Sequence, residues 1–333
     1  MNRSVFRDAF SKGDQDTCLK SLESGLSGDD TLVQYLNDLL FTAACVDWKK
    51  KPCDHPAIVM NSLKNMIGEN RETPSKILLK FGLEILASQP LRKDDDAVLN
   101  ETTRSGIGLA VFVGDLEDAL QECKWNEAKL FAAKTFLASD RSRAVIDALA
   151  DLALQNTNRN GAFVFHLLRS FHFQELKEDI WNYVCSLLNI IEQHRLPKPH
   201  ERKTVEPHNT YKSILINNQS DLWVTFSSVW RLWIGENVRL KSYQREISHW
   251  LSVLDLDANG SLDLNQDHWL LKDHKESGNR FIALAESIVK QDKSALDRGR
   301  DLVILESLRA LARMDSNECT AMAAARLEQR FES

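Results

Sequence analysis

Apolar residues recur at spacings of three and four along most of the chain, and no stretch alternates with period two over strand length. That pattern predicts an all-α fold, an array of antiparallel helices with no significant sheet. The stretch around which the rest is organised is residues 54–67. Asp54 suits an N-cap, and Pro56 suits the first turn, where its missing N–H costs nothing. Behind them Ile58, Val59, Ser62, Leu63 and Met66 fall on one helix face, with His55 at the mouth.

Before this helix the pattern predicts short helices at 4–12 and 14–26, broken at Gly13 and Asp14, and a longer one at 31–46. After it, Thr73-Pro74 opens a helix burying Ile77, Leu78, Phe81 and Ile85. Residues 89–96 read as a polar surface connection. The apolar pattern then restarts at an offset of 110. Phe6, Ala9 and Phe10 correspond to Leu116, Ala119 and Leu120, and His55 meets His166 at 111. An internal duplication follows as an expectation, with copies at 3–88 and 113–195 inside a unit spanning 1–195. The charged, proline-bearing stretch after residue 195 makes 196–210 the expected linker to a C-terminal helical region, 211–333. In that region Trp223, Phe226, Trp230 and Trp233 form an aromatic stripe that reads first as core and second as a ligand box. Two final helices are expected at 279–313, broken near Asp292, and at 316–331, the latter with an Asp315–Glu318 capping box.

Composition narrows the partners. The formal charge of −6 is spread along the chain, which argues against a nucleic-acid footprint. The run 180–191 is too short to span a bilayer, and charges occupy the first residues where a signal peptide needs an apolar core. Six cysteines without a CxxC pair suggest reduced thiols. A soluble cytoplasmic protein, away from membranes, is the expectation.

Two sets of residues could carry chemistry. In 255–263, oxygen-bearing Asp255, Asp257, Asn259 and Asp263 and the carbonyl of Ser261 surround Gly260 at the spacing a hard cation needs. The loop resembles the calcium loops of EF-hand and dockerin-type proteins. It departs from them at Gln266, where the resemblance expects a bidentate Glu. Any calcium bound there should therefore be held with low affinity, about 10⁻⁴ to 10⁻³ M. The second set is His55, His166 and His208, each near a helix start or on an apolar face. If the helices stack, these could converge on one inter-helix pocket as acid–base groups. Asp54-His55-Pro56, Phe165-His166 and Pro207-His208 resemble the questin-oxidase-like proteins over residues 3–230. That resemblance implies an all-α enzyme of NADPH-dependent Baeyer–Villiger oxidation. Gly106-Ile107-Gly108 follows no strand and lacks a third glycine, and no GxxxxGK[ST], GxSxG or SxxK is present.

Two functions remain open. One is a non-enzymatic helical-repeat protein of adaptor or immunity type that binds another protein. The other is a small-molecule-binding or oxidising enzyme with a histidine-lined pocket. The arrangement of the three histidines separates them.

Overall fold

The computed structural model describes residues 5–25, 29–108, 112–174, 176–256, 262–264, 268–271, 279–314 and 317–332. Seventeen α-helices and no sheet occur among them. Four helices carry long buried runs and surround the centre: α4 (Pro56–Gly68), α10 (Thr157–Phe171), α13 (Ser220–Ile234) and α16 (Ala295–Ala312). They close a ring, α4 on α10, α10 on α13, α13 on α16, and α16 back on α4. At the α10–α13 crossing Gly161 removes the obstacle, since a Cβ there would stand 2.7 Å from Val229 Cγ1.

Each central helix is flanked by its neighbours in the chain. α3 (Asp29–Ala44) and α5 (Lys76–Ala87) pack on α4; α9 (Ala144–Leu154) and α11 (Ile180–Ile191) pack on α10. α12 (Pro207–Ile216) and α14 (Leu240–Ser252) pack on α13; α15 (Arg280–Val289) and α17 (Asn317–Phe331) pack on α16. The remaining helices are α1 (Val5–Ser11), α2 (Gln15–Gly25), α6 (Ala97–Ser105), α7 (Val113–Gln121) and α8 (Trp125–Ala138).

The set α1 to α5 and the set α7 to α11 share one pairing scheme. In each, the first helix packs on the second and third, the second on the third and fifth, the third on the fourth and fifth, and the fourth on the fifth. The offset of 110 holds for α2 and α8, whose first residues are Gln15 and Trp125, but α4 and α10 start 101 apart. The cause is the connection before them: residues 45–55 precede α4, whereas only Gln155 and Asn156 precede α10. His55 and His166 therefore do not occupy matching places. His55 is the N-cap of α4, and His166 lies ten residues into α10.

Local ends differ from the sequence reading in instructive ways. The α4 cap is His55 rather than Asp54, with Ala57 N–H donating to His55 Nδ1 at 3.0 Å. Ser75, not Thr73, caps α5 by accepting from Leu78 N–H at 3.2 Å. Residues 97–105 form α6, which the polar sequence there conceals. Of the expected linker 196–210, residues 207–210 already belong to α12, and the part before them is held against α14 by Lys203 N–H donating to Ser248 Oγ and by His200 Nδ1 at 2.7 Å from Glu246. They separate no independent cores, because one hydrophobic cluster runs from Phe6 to Leu327. The aromatic stripe is core at Trp223, Phe226 and Trp230, while Trp233 lies half-buried under Arg202. Asp315 of the expected capping box lies outside the described residues. No described helix is long and apolar enough to cross a membrane.

Candidate functional site

Each helix of the ring interrupts its apolar run with an isolated charge. Lys64 is the one charged residue of 56–68, Arg169 of 160–171, and Arg231 of 222–234, while Glu306 and Arg309 break the run 302–312. A charge in such a helix must find a partner or reach solvent. Here the helices bring these groups to one end of the ring. Glu306 accepts two hydrogen bonds from Arg231, at 2.6 and 3.1 Å, and one from Asn65 Nδ2 at 2.7 Å. Burial pushes the Glu306 carboxyl up, but the Arg231 guanidinium outweighs it and holds the group below the usual carboxylate range. Arg231 also stacks on Phe165, 4.1 Å from the ring centroid.

Above this ion pair opens a cavity of about 850 Å³ between α3, α4, α13, α16 and the end of α10. Six cationic side chains line it, Lys64, Arg71, Arg169, Arg231, Arg309 and Arg313, against two carboxylates, Glu69 and Glu306. Glu69 is already engaged by Arg313 at 2.5 Å and by Arg309 at 3.5 Å. Lys64, Arg71 and Arg169 have no carboxylate partner among the described residues. Lys64 Nζ sits over the Phe173 ring, 5.5 Å from its centroid. Burial, reinforced by Arg169, pushes the Lys64 amine down to about 8. Apolar walls come from Leu32, Leu36 and Phe281. Such a site suits a small anion with an apolar or planar body.

The three histidines do not form one pocket. His55 and His166 are wholly buried, and burial pushes both imidazoles down to about 3, so they are neutral at physiological pH. His55 caps α4 and packs on Phe163, with ring centroids 4.7 Å apart. Asn61 Nδ2 donates to His166 Nδ1 at 2.8 Å, which places the His166 proton on Nε2. His208 stands at the surface, its Nδ1 3.3 Å from Glu206 Oε2. His166 lies beneath the cavity, close enough to Glu306 for their charges to interact, and none of the three lines the cavity. Of the calcium-loop residues, Asp257, Asn259 and Ser261 lie outside the described residues; Asp255 and Asp263 lie within them. The six cysteines are free thiols.

A second concavity, about 1220 Å³, lies between α1, α3, α11 and residues 91–97. Arg7 there bridges Asp38 at 2.6 Å and Asp179 at 2.5 Å, and Arg92 grips Asp95 at 2.8 Å. Asp94, Asp96 and Glu178 at its rim are exposed, beside apolar Phe10, Val33, Phe41 and Leu176.

Sequence reasoning fixed on the histidines and passed over the lone charges, although the signal was there. His166 and Arg169 follow at i and i+3 on α10, with Phe173 in the turn just beyond it, and they face Asn61, Lys64 and Asn65 of α4. Comparison with protein-family models, curated proteins and solved structures finds no match for this chain.

Proposed function

We propose that this protein binds a small anionic molecule, bearing a carboxylate or phosphate, in the cavity at the end of the four-helix ring. The carrying observation is the charge imbalance: six cations converge on two carboxylates that are already committed to arginines. Keeping Lys64 half-buried beside Arg169 costs stability that Glu306 only partly offsets, and a bound anion reduces that cost. The shared pairing scheme of α1–α5 and α7–α11 supports an internal duplication that supplies α4 and α10 as the facing walls. Calorimetric titration with inorganic phosphate and with citrate tests the reading. One site per chain, weakened at least tenfold by Arg169→Ala, supports it, and no heat at millimolar anion contradicts it.

A protein-binding role rests on the other concavity. Its Asp94, Asp96 and Glu178, without ion pairs among the described residues and set beside the exposed Val33 and Leu176, fit a basic segment of a partner protein. Salt-sensitive binding of an arginine-rich peptide, lost in Asp94→Asn/Asp96→Asn/Glu178→Gln, is the expected outcome. Binding unaffected by that triple change places the peptide elsewhere.

A further inference from the structure

Most of the arginines around the cavity are engaged or stacked, but Lys64 is placed differently. It projects from the middle of a core helix into the cavity, lies against an aromatic face, and makes no ion pair among the described residues, the pull of Glu306 being outweighed by burial and by Arg169. A lysine meant only as a counter-charge would gain from a carboxylate. A lysine without such an ion pair, half-buried and pressed by a neighbouring guanidinium, gives up its proton more readily and is set up to react as an amine. Arg169 and Arg71 stand at the same cavity with no carboxylate partner among the described residues, so an anionic group has a place beside the amine.

We infer that Lys64 forms an imine with a small aldehyde or ketone whose carboxylate or phosphate is held by Arg169 and Arg71. This rests on the anion-binding reading and goes one step further, to covalent capture. In the step, the unprotonated Nζ attacks the carbonyl carbon. The two amine hydrogens end on the carbonyl oxygen, which leaves as water, and a C=N bond replaces C=O. No oxidant or reductant is consumed. Below pH 8 an amine titrating near 8 exposes about 300 times more free base than an ordinary lysine at 10.5. That advantage gives Lys64 selectivity over the exposed lysines of the surface.

The test uses the full chain and pyridoxal 5′-phosphate at low molar excess, followed by cyanoborohydride reduction and peptide mass mapping. The expected result is one label per chain at pH 7, on Lys64, at least tenfold above any other lysine. Inorganic phosphate should protect it, and labelling should rise steeply between pH 7 and pH 8. Lys64→Arg, which keeps the charge, should bind phosphate yet lose the label. Labels spread according to exposure, or Lys64 left bare, overturn the inference. Phosphate binding by calorimetry together with an unlabelled Lys64 overturns the imine and leaves the anion site standing. Absence of both removes the two readings together.

Discussion

Glu306 on α16 and Arg231 on α13 meet through two parallel hydrogen bonds, 2.6 and 3.1 Å long, and Asn65 of α4 donates to the same carboxylate. One side chain thus ties three of the four central helices together directly beneath the cavity. Removing one partner of such a pair strands a buried charge, which costs more than the pair itself contributes. Arg231→Met should therefore destabilise by about 3–5 kcal/mol. The double change Arg231→Met/Glu306→Leu should recover most of that loss, as read by urea unfolding. A double mutant no better than the single one would show that the pair itself holds the helices.

His55 and His166 give the protein a pH dependence of defined sign. Both are neutral in the fold, their imidazoles pushed to about 3, whereas in the unfolded chain they bind protons below about 6.5. Their contribution is complete above pH 6.5 and is lost as pH falls toward 3. The slope is roughly 1.4 kcal/mol per pH unit for each histidine. The urea midpoint should drop between pH 7 and pH 5, and His166→Gln should flatten that drop. A midpoint level across the range would mean that the imidazoles take up protons without unfolding.

At the α10–α13 crossing Gly161 lets two backbones approach, and a Cβ there would press on the stiff Val229 side chain. Gly161→Ala should gain about 1 kcal/mol of helix propensity and lose about 1–3 to overpacking, a net destabilisation. Combined with Val229→Ala, the two changes should be markedly non-additive in unfolding measurements. Simple additivity would place the crossing elsewhere.

The sequence showed the helices because burial leaves a direct trace in apolar spacing, and it showed them best where they are most buried, as in 56–68 and 222–230. It hid α6, whose nine residues bury only Leu99 and Thr102. It misplaced the histidines because a constant offset cannot register a connection shortened from residues 45–55 to Gln155–Asn156. The cavity was half-legible. Single charges at Lys64, Arg169, Arg231, Glu306 and Arg309 mark it in the sequence, but which of them meet is decided by contacts such as Asn65–Glu306, 241 residues apart.

Lys64 should reveal a trade between stability and binding. As a half-buried cation with no carboxylate partner among the described residues, it costs the empty fold stability. Lys64→Met should raise stability by roughly 1–2 kcal/mol while weakening anion affinity. Destabilisation on this change would instead make Lys64 a structural group.

The central claim is that the cavity holds an anion, and thermal unfolding with and without inorganic phosphate at constant ionic strength tests it most directly. A ligand at 100 times its Kd adds about 2.7 kcal/mol to a one-site protein. The account predicts that phosphate raises the Tm of the wild type by several degrees and leaves Lys64→Met/Arg169→Glu unmoved. An equal shift in both proteins, or none in the wild type, would contradict it.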